Sequence, residues 1–158
     1  MVVVGYVSYC GSAPSILDVG CGSGRLFRLL ERFGFGSYLG IDFSSEAIAA
    51  ASNLSTETAR FEVADFLNWE PPRSFDSVIF NETLYYAPDA RELLHKSLRW
   101  LSRDGFVIVS MYRHGDVPRI WDDIDADPDI EVVEATTVQN AQRQEWDVKA
   151  LRPVSARA

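Results

Sequence analysis

The feature that most constrains the fold is a series of short, nearly continuous apolar runs separated by segments with helical periodicity. Three runs stand out, SILDVG (15–20), SVIFN (77–81) and FVIVSMY (106–112). Two shorter strand candidates, SYLGID (37–42) and RFEVAD (60–65), lie between the first run and the second. Continuous apolar strands are typical of parallel sheets covered on both faces. Because helices alternate with strands as far as about residue 111, the sequence predicts a doubly wound α/β layer with right-handed crossovers.

Helical periodicity fills the first gap between strands. In residues 24–34, Leu26, Leu30 and Phe33 fall on one face, and Gly34 is placed to end the helix. This pattern predicts a helix of about ten residues directly after the first strand.

Capping residues predict where two further helices begin. Ser44 can cap a helix that has Glu46 in its first turn. Asp89 and Glu92 have the spacing of a capping box at the start of another helix. The apolar face of that helix is predicted to consist of Leu94, Leu98 and Leu101.

The last part of the chain follows a different pattern. A short helix is predicted over residues 116–125, and two strands over 130–140 and 143–153, with a tight turn near Asn140. The sheet is therefore expected to end in an antiparallel hairpin. The 158 residues contain no internal repeat or linker, so we predict a single domain over residues 1–158.

A glycine-rich loop connects the first strand to the first helix. Its residues are Asp18, Gly20, Gly22 and Gly24. The dinucleotide fingerprint G-x-G-x-x-G does not fit, because its third glycine would fall on Arg25 or Phe27, neither of which is small. The phosphate-loop signature is also absent, with no lysine near the loop. The loop is thus placed to bind a ligand at the edge of the sheet, but it is not a pyrophosphate cradle.

The D-x-G-x-G-x-G spacing resembles motif I of class I S-adenosylmethionine-dependent methyltransferases. The resemblance continues with Asp42 after the second strand and with Asp65 and Phe66 after the third, and it covers the chain from Ile16 to Pro153. It also includes the stretches FDSVIFNETLYY and LHKSLRWLSRDGFVIVSMY. It implies a mostly parallel seven-stranded sheet with helices on both faces, a C-terminal antiparallel strand, and methyl transfer from S-adenosylmethionine.

The resemblance also implies a set of cofactor-binding residues. Asp18 would lie near the methionine amino group, Asp42 would hold the ribose hydroxyls, and Asp65 would accept from the adenine amino group. The full set is Asp18, Gly20, Cys21, Gly22, Gly24, Asp42, Phe43, Asp65, Phe66 and Asn81. For each of the three acids a structural alternative stays open. Asp18 would stabilise loop amides, Asp42 would cap the following helix, and Asp65 would be an ordinary turn residue.

The acceptor side is less defined by the sequence. Glu82, Tyr85 and His114 are the candidate catalytic residues, each as a base if the acceptor must lose a proton. Tyr86 is adjacent to Tyr85, and one of the two is expected to face the site while the other packs inside. The acceptor is predicted to be a small molecule methylated on oxygen or nitrogen.

Charge and composition limit the partners. The net charge of −8, with 23 acids against 15 lysines and arginines, disfavours nucleic acid. The two cysteines form no cluster with histidine, so no metal site is predicted. The N-terminal run has no basic flank and is too short to span a bilayer, which indicates a cytoplasmic protein without a membrane span. The sequence does not indicate an oligomeric state.

Residues 1–15 are shorter than the helical cap that members of the resembled family carry before the first strand. The acceptor site is then open, or covered by a partner chain, or completed by residues upstream of this start. Two alternative functions therefore remain: a non-catalytic cofactor-binding or partner module of the same fold, and a nicotinamide-dependent oxidoreductase.

Overall fold

A computed structural model of the chain describes residues 2–154. The strands are β1 (Ser15–Val19), β2 (Ser37–Asp42), β3 (Ala59–Val63), β4 (Phe75–Asn81), β5 (Leu101–Tyr112), β6 (Ile130–Gln139) and β7 (Glu145–Pro153). The α-helices are α1 (Val2–Val7), α2 (Phe27–Leu30), α3 (Ser45–Ala51), α4 (Ala90–Leu98) and α5 (Val117–Asp125). Short 3₁₀ turns follow α1, α3 and β4.

The strands form one seven-stranded sheet in the order β3-β2-β1-β4-β5-β7-β6. The pairs among β1 to β5 are parallel, whereas β7 runs antiparallel to both of its neighbours. The predicted mostly parallel sheet with a C-terminal antiparallel strand is confirmed. The three continuous apolar runs became β1, β4 and β5, which lie at the centre of the sheet.

Two apolar cores cover the two faces of the sheet. On one face α1, α2 and α3 contribute residues such as Val3, Phe27 and Ile48. On the other face α4 and α5 contribute residues such as Leu94 and Trp121. Helices therefore pack on both faces, as the alternating pattern predicts.

Two of the predicted helical faces are wrong in detail. The helix after β1 spans only Phe27–Leu30, and Phe33 is 71% exposed instead of sharing the buried face of Leu30. Leu101 belongs to β5 and not to the helix before it. In both places the helix ends before the apolar sequence pattern does, because the chain must turn to reach the next buried strand.

The two predicted helix starts are confirmed. The Ser44 hydroxyl accepts a hydrogen bond from the backbone N–H of Ala47 at 3.1 Å, and an Asp89 carboxylate oxygen accepts from the N–H of Glu92 at 2.9 Å. Gly34 has the left-handed φ of +84°, but it does not end the helix as predicted, because α2 ends at Leu30 with Glu31 as its C-cap.

The N-terminal segment is more ordered than its sequence indicates. Valine is a poor helix former, yet Val2–Val7 is helical and four of its six residues are buried against the sheet. The Tyr6 hydroxyl lies 2.6 Å from the hydroxyl of Thr136 and so links α1 to β6. Burial of the apolar side chains outweighs the intrinsic propensity of the segment.

Within residues 2–154, none of the helices has the length and apolar character needed to cross a membrane. The cytoplasmic location and the absence of a nucleic-acid partner stay predictions.

Candidate functional site

The strand order places the candidate site at the carboxyl ends of β1, β2 and β4. The order reverses between β1 and β4, and open α/β sheets bind ligands in the crevice at such a point. The glycine loop (residues 20–24) lies there and is tied to the neighbouring strand. The backbone N–H groups of Gly20 and Cys21 both donate to the carbonyl of Ile41, at 2.8 and 3.0 Å.

The glycines of this loop have different roles. Gly20 and Gly22 have positive φ angles of +74° and +55°, a backbone conformation that residues other than glycine rarely adopt. A Cβ at Gly20 would overlap the Thr83 side chain, whereas a Cβ at Gly22 would meet no atom within 4 Å. Gly20 therefore permits close packing inside the protein, and Gly22 borders open space where a ligand can lie.

Asp42 joins the glycine loop to the start of α3. One carboxylate oxygen accepts from the N–H of Gly22 and the other from the N–H of Ser44, both at 2.9 Å. The residue is 8% exposed. Since a carboxylate oxygen can accept more than one hydrogen bond, both oxygens keep acceptor capacity for hydroxyls in the adjoining space.

Asp18 lies beneath the glycine loop and is almost fully buried. The Tyr38 hydroxyl donates a 2.6 Å hydrogen bond to its carboxylate. Burial raises the pKa of Asp18 to about 7, the Tyr38 hydrogen bond opposes this shift, and the charge of Asp42 adds to it. Its proximity to a cofactor amino group stays a prediction, and Tyr38 is a partner for which the sequence offers no signal.

Asp65 and Phe66 follow β3 beside Asp42. The carbonyl of Asp42 accepts from the N–H of Ala64 at 2.9 Å, so the ends of β2 and β3 are adjacent. The Asp65 carboxylate accepts from the N–H of Leu67 at 3.1 Å and from the Asn68 amide at 2.7 Å, which makes it a turn residue as well as a candidate ligand. Its adenine-binding role stays a prediction.

Apolar side chains border the same edge of the sheet. Phe43 is 72% exposed directly after Asp42, while Phe66 is buried. Val63 and Leu67, on either side of the β3 end, are also exposed. Exposed apolar groups beside a polar carboxylate suit a flat, partly apolar ligand such as a nucleoside base.

Glu82 follows β4 in a strained backbone conformation. Its φ of +60° lies in the left-handed region, which is uncommon for a residue other than glycine and marks functional sites. Its carboxylate accepts from the N–H of Tyr112 at 3.0 Å, from the Ser110 hydroxyl at 3.2 Å and from the Tyr85 hydroxyl at 3.4 Å. Burial raises the pKa of Glu82 above its ordinary value, and these hydrogen bonds oppose the rise.

The three candidate catalytic residues lie close together. Tyr85 contacts Glu82, and the rings of Tyr85 and His114 are 5.3 Å apart. Tyr86 is 71% exposed, whereas Tyr85 is half-buried and packs against the apolar core under α4 and α5, so Tyr85 is the one of the two that packs inward.

A cavity of about 530 Å³ opens beside Glu82 at the carboxyl ends of β4 and β5. It is lined by Val2, Val3, Asn81, Glu82, Ser110, Val138, Trp146 and Val148. Asn81 pairs with Ser110 across the two strands, and Asp18 pairs with Ile79, two residues before Asn81. Asn81 in the cavity wall therefore lies beside the carboxyl end of β1, where the glycine loop begins.

Other polar clusters have structural explanations. Cys21 is buried in the loop, and burial raises the pKa of its thiol well above its usual value, which disfavours the nucleophilic thiolate. His95, Asp127 and Asp129 lie close enough to ligate a metal, but the Asp127 carboxylate already accepts from the Arg91 guanidinium at 2.5 Å. This cluster links α4 to the turn before β6 and was not predicted from the sequence.

A family model described as a methyltransferase domain matches residues 11–150. The chain belongs to this methyltransferase family. The family and the fold inferred from the glycine loop and the strand pattern are thereby confirmed.

Curated relatives of this methyltransferase domain match part of their length. Trans-aconitate 2-methyltransferase of Variovorax paradoxus strain S110 is 32% identical over 101 residues, which is 63% of this chain and 39% of that protein. Trans-aconitate 2-methyltransferase of Mycobacterium tuberculosis strain H37Ra is 32% identical over 90 residues, 56% of this chain and 32% of that protein. The chain thus spans less than half the length of these relatives.

Solved structures share the fold at low identity. The N-methyltransferase NodS from Bradyrhizobium japonicum WM9, in complex with S-adenosyl-L-homocysteine, has a TM-score of 0.79 and 18% identity, covering 96% of this chain and 83% of NodS. The [4+2]-cyclase SpnF has a TM-score of 0.78 and 14% identity, covering 95% and 80%. Since one of these neighbours is named for another reaction, the fold alone does not determine the chemistry of this methyltransferase domain.

Proposed function

We propose that the chain binds S-adenosylmethionine at the glycine loop and transfers its methyl group to a small-molecule acceptor. The observation that carries the proposal is the Asp42 carboxylate, held between the N–H groups of Gly22 and Ser44 beside the open space at Gly22. Membership of the methyltransferase family and the S-adenosyl-L-homocysteine bound to NodS support the choice of cofactor.

The residues at this site fit the three parts of the cofactor, namely its ribose, its base and its amino-acid part. Asp42 has acceptor capacity for two ribose hydroxyls, and exposed Phe43 offers an apolar surface to the base. Asp18 offers a carboxylate to the cationic amino-acid part. A positive group near Asp18 would also favour its ionised form, which burial now disfavours.

When bound, the cofactor supplies a methyl group on a positively charged sulfur, a carbon already activated for displacement. The protein's own residues then need to orient the acceptor and exclude water. Glu82, Tyr85 and His114 lie together where an acceptor can reach the crevice, and Glu82 is the group best placed to take a proton.

A small molecule is the acceptor class that the cavity supports. Its volume of about 530 Å³ is in the range of small-ligand pockets. The relatives named for trans-aconitate also point to a small molecule, and the net charge of −8 disfavours nucleic acid.

Calorimetric titration with S-adenosyl-L-homocysteine tests the proposal. We expect saturable binding, and Asp42→Ala should weaken it at least about tenfold, since hydrogen bonds to a charged group are lost. The matched control is Glu57→Ala, an exposed acid at the amino end of β3, which should bind like the unchanged protein. Binding of NAD in place of S-adenosyl-L-homocysteine would instead favour the oxidoreductase alternative.

A non-catalytic module of the same fold is the second candidate, and the SpnF neighbour, named for a cyclisation, favours keeping it. Transfer of labelled methyl groups from S-adenosylmethionine across a panel of amines, alcohols and acids distinguishes the two. Cofactor binding without labelled product from any acceptor would support the module.

A further inference from the structure

The cavity beside Glu82 has an unusual charge pattern for a small-molecule site. Of the eight described residues that line it, five are apolar and Glu82 is the charged one. Among those eight there is no lysine, arginine or histidine. An acceptor bound in this cavity therefore meets one carboxylate in mainly apolar surroundings.

The partners of this carboxylate are neutral donors. A backbone N–H from Tyr112 and hydroxyls from Ser110 and Tyr85 bind it. These hydrogen bonds hold the side chain in place, but they do not supply a positive charge. The half-buried carboxylate thus lacks a paired cation among these partners, and burial raises its pKa.

Two basic side chains, Arg113 and His114, follow β5 near this point. Arg113 is bound to Asp147 and Glu145 by hydrogen bonds of 2.5 to 2.8 Å, so its charge is matched by two acids. His114 is exposed and lies against the rings of Tyr85 and Tyr112, each 5.3 Å away. It has the smallest influence on the pKa of Glu82, which it acts to lower.

Trp146 adds a second feature that suits a cation. It lines the cavity and its ring lies 5.1 Å from that of Tyr112, which pairs with it between β5 and β7. Aromatic faces attract ammonium groups, most strongly where water is excluded. A carboxylate and an indole at one cavity complement a positively charged nitrogen better than a hydroxyl, which brings no charge.

We infer that the methyl acceptor is an amine carried on an apolar body, bound with its nitrogen at Glu82, and that this cavity selects against acceptors with a carboxylate at that position. The inference rests on the proposed function. An amine that enters as ammonium gives one proton to Glu82: the N–H bond breaks, an O–H bond forms on the carboxylate, and the nitrogen keeps the electron pair. Glu82 is then both the specificity-determining group and the proton acceptor.

A matched series of head groups on one apolar body tests the inference. The probes are 4-phenylbutylamine, 4-phenylbutan-1-ol and 4-phenylbutanoate, titrated by calorimetry at neutral pH into the full chain saturated with S-adenosyl-L-homocysteine. We expect the amine to bind at least about tenfold more tightly than the carboxylate, with the alcohol between them. Saturation with the cofactor product keeps the probes out of the cofactor site.

Two variants assign the preference to Glu82. Glu82→Gln should bring the three affinities within about threefold of one another, while the matched control Glu134→Gln, an exposed acid on β6 that does not line the cavity, should keep the original ratio. If Glu82→Gln fails to fold, Val138→Lys serves in its place, because Val138 is partly exposed at the cavity and a lysine there should favour the carboxylate probe.

The outcomes separate this inference from the proposed function. Equal or tighter binding of 4-phenylbutanoate in the unchanged protein overturns the inference, as does an amine preference that survives Glu82→Gln. If S-adenosyl-L-homocysteine does not bind at all, the proposed function fails first, and the inference that depends on it fails with it.

Discussion

The hydroxyl of Tyr38 donates a 2.6 Å hydrogen bond to Asp18, and the two side chains lie buried beneath the glycine loop. Tyr38 comes from β2 and Asp18 from β1, so the contact joins the two strands whose ends carry the candidate cofactor site. Tyr38 stabilises the ionised form of a carboxyl group that burial would otherwise keep neutral. The site therefore contains an acid whose charge state changes near neutral pH.

Asp18→Asn should change how stability depends on pH. The pKa of Asp18 is about 3.9 in an unfolded chain and about 7 when folded, so the folded state binds its proton more tightly. Its contribution to stability is fully present below about pH 4 and is lost as the pH rises through about 7. Relative to Asp18→Asn, the unchanged protein should lose about 1.4 kcal/mol per pH unit in this window. Urea unfolding across the window measures this, and parallel curves for the two proteins would contradict it.

Alanine at two loop glycines should have different effects. Gly20→Ala should destabilise the fold by a few kcal/mol, because the new Cβ overlaps Thr83 and φ is positive. Gly22→Ala should cost only about 1–2 kcal/mol of stability, from backbone strain. It should nevertheless weaken S-adenosyl-L-homocysteine binding, because the new Cβ would occupy the open space in which we propose that the ligand lies. Denaturant unfolding and calorimetry on both variants provide the comparison. Equal loss of stability in the two would show that Gly22 also packs against the protein.

Asp127→Asn should lower stability at neutral pH by about 1–3 kcal/mol. The carboxylate accepts from Arg91, from the backbone N–H of Asp129 and from His95. Burial is the largest single influence and raises the pKa of Asp127, but these partners together outweigh it and hold the pKa well below its usual range. This stabilisation is present above the unfolded pKa of about 3.9 and is lost as the pH falls through the lower folded value. The difference between the two proteins in unfolding free energy should therefore shrink below about pH 4. A difference that stays constant into acid would mean that packing, and not charge, makes this residue important.

Tyr6→Phe should destabilise the attachment of α1 to the sheet by about 0.5–1.5 kcal/mol, because the hydrogen bond to Thr136 is lost while the ring stays. A double-mutant cycle with Thr136→Val isolates the pair, and coupling energy near zero would argue that the hydroxyls do not interact in solution. Tyr9→Phe is the matched control, because Tyr9 stacks on Tyr6 but is exposed.

Strand identity and the position of the glycine loop could be predicted from the sequence because both depend on local patterns. The runs around Leu17, Val78 and Val107 are buried on both faces, which makes them continuous and easy to recognise. The contact between Tyr38 and Asp18, and the three donors to Glu82, depend on the register of neighbouring strands. A register is a property of the assembled sheet and leaves no local signal, so these contacts could not be inferred.

The lengths of the helices could not be predicted from the sequence either, for a related reason. The apolar period around Phe33 continues past the end of α2, and the valines of α1 disfavour a helix that packing nevertheless forms. In both places tertiary burial decides the outcome against local preference.

The left-handed backbone at Glu82 makes position 82 a place where selection for stability and selection for activity diverge. Glycine adopts φ near +60° without strain, so a library sorted only for thermal resistance should enrich glycine there. A library sorted for turnover should retain the acid. Replacing Glu82 by glycine would therefore relieve the backbone strain with a single codon change and at the same time remove the carboxylate to which we assign the choice of acceptor.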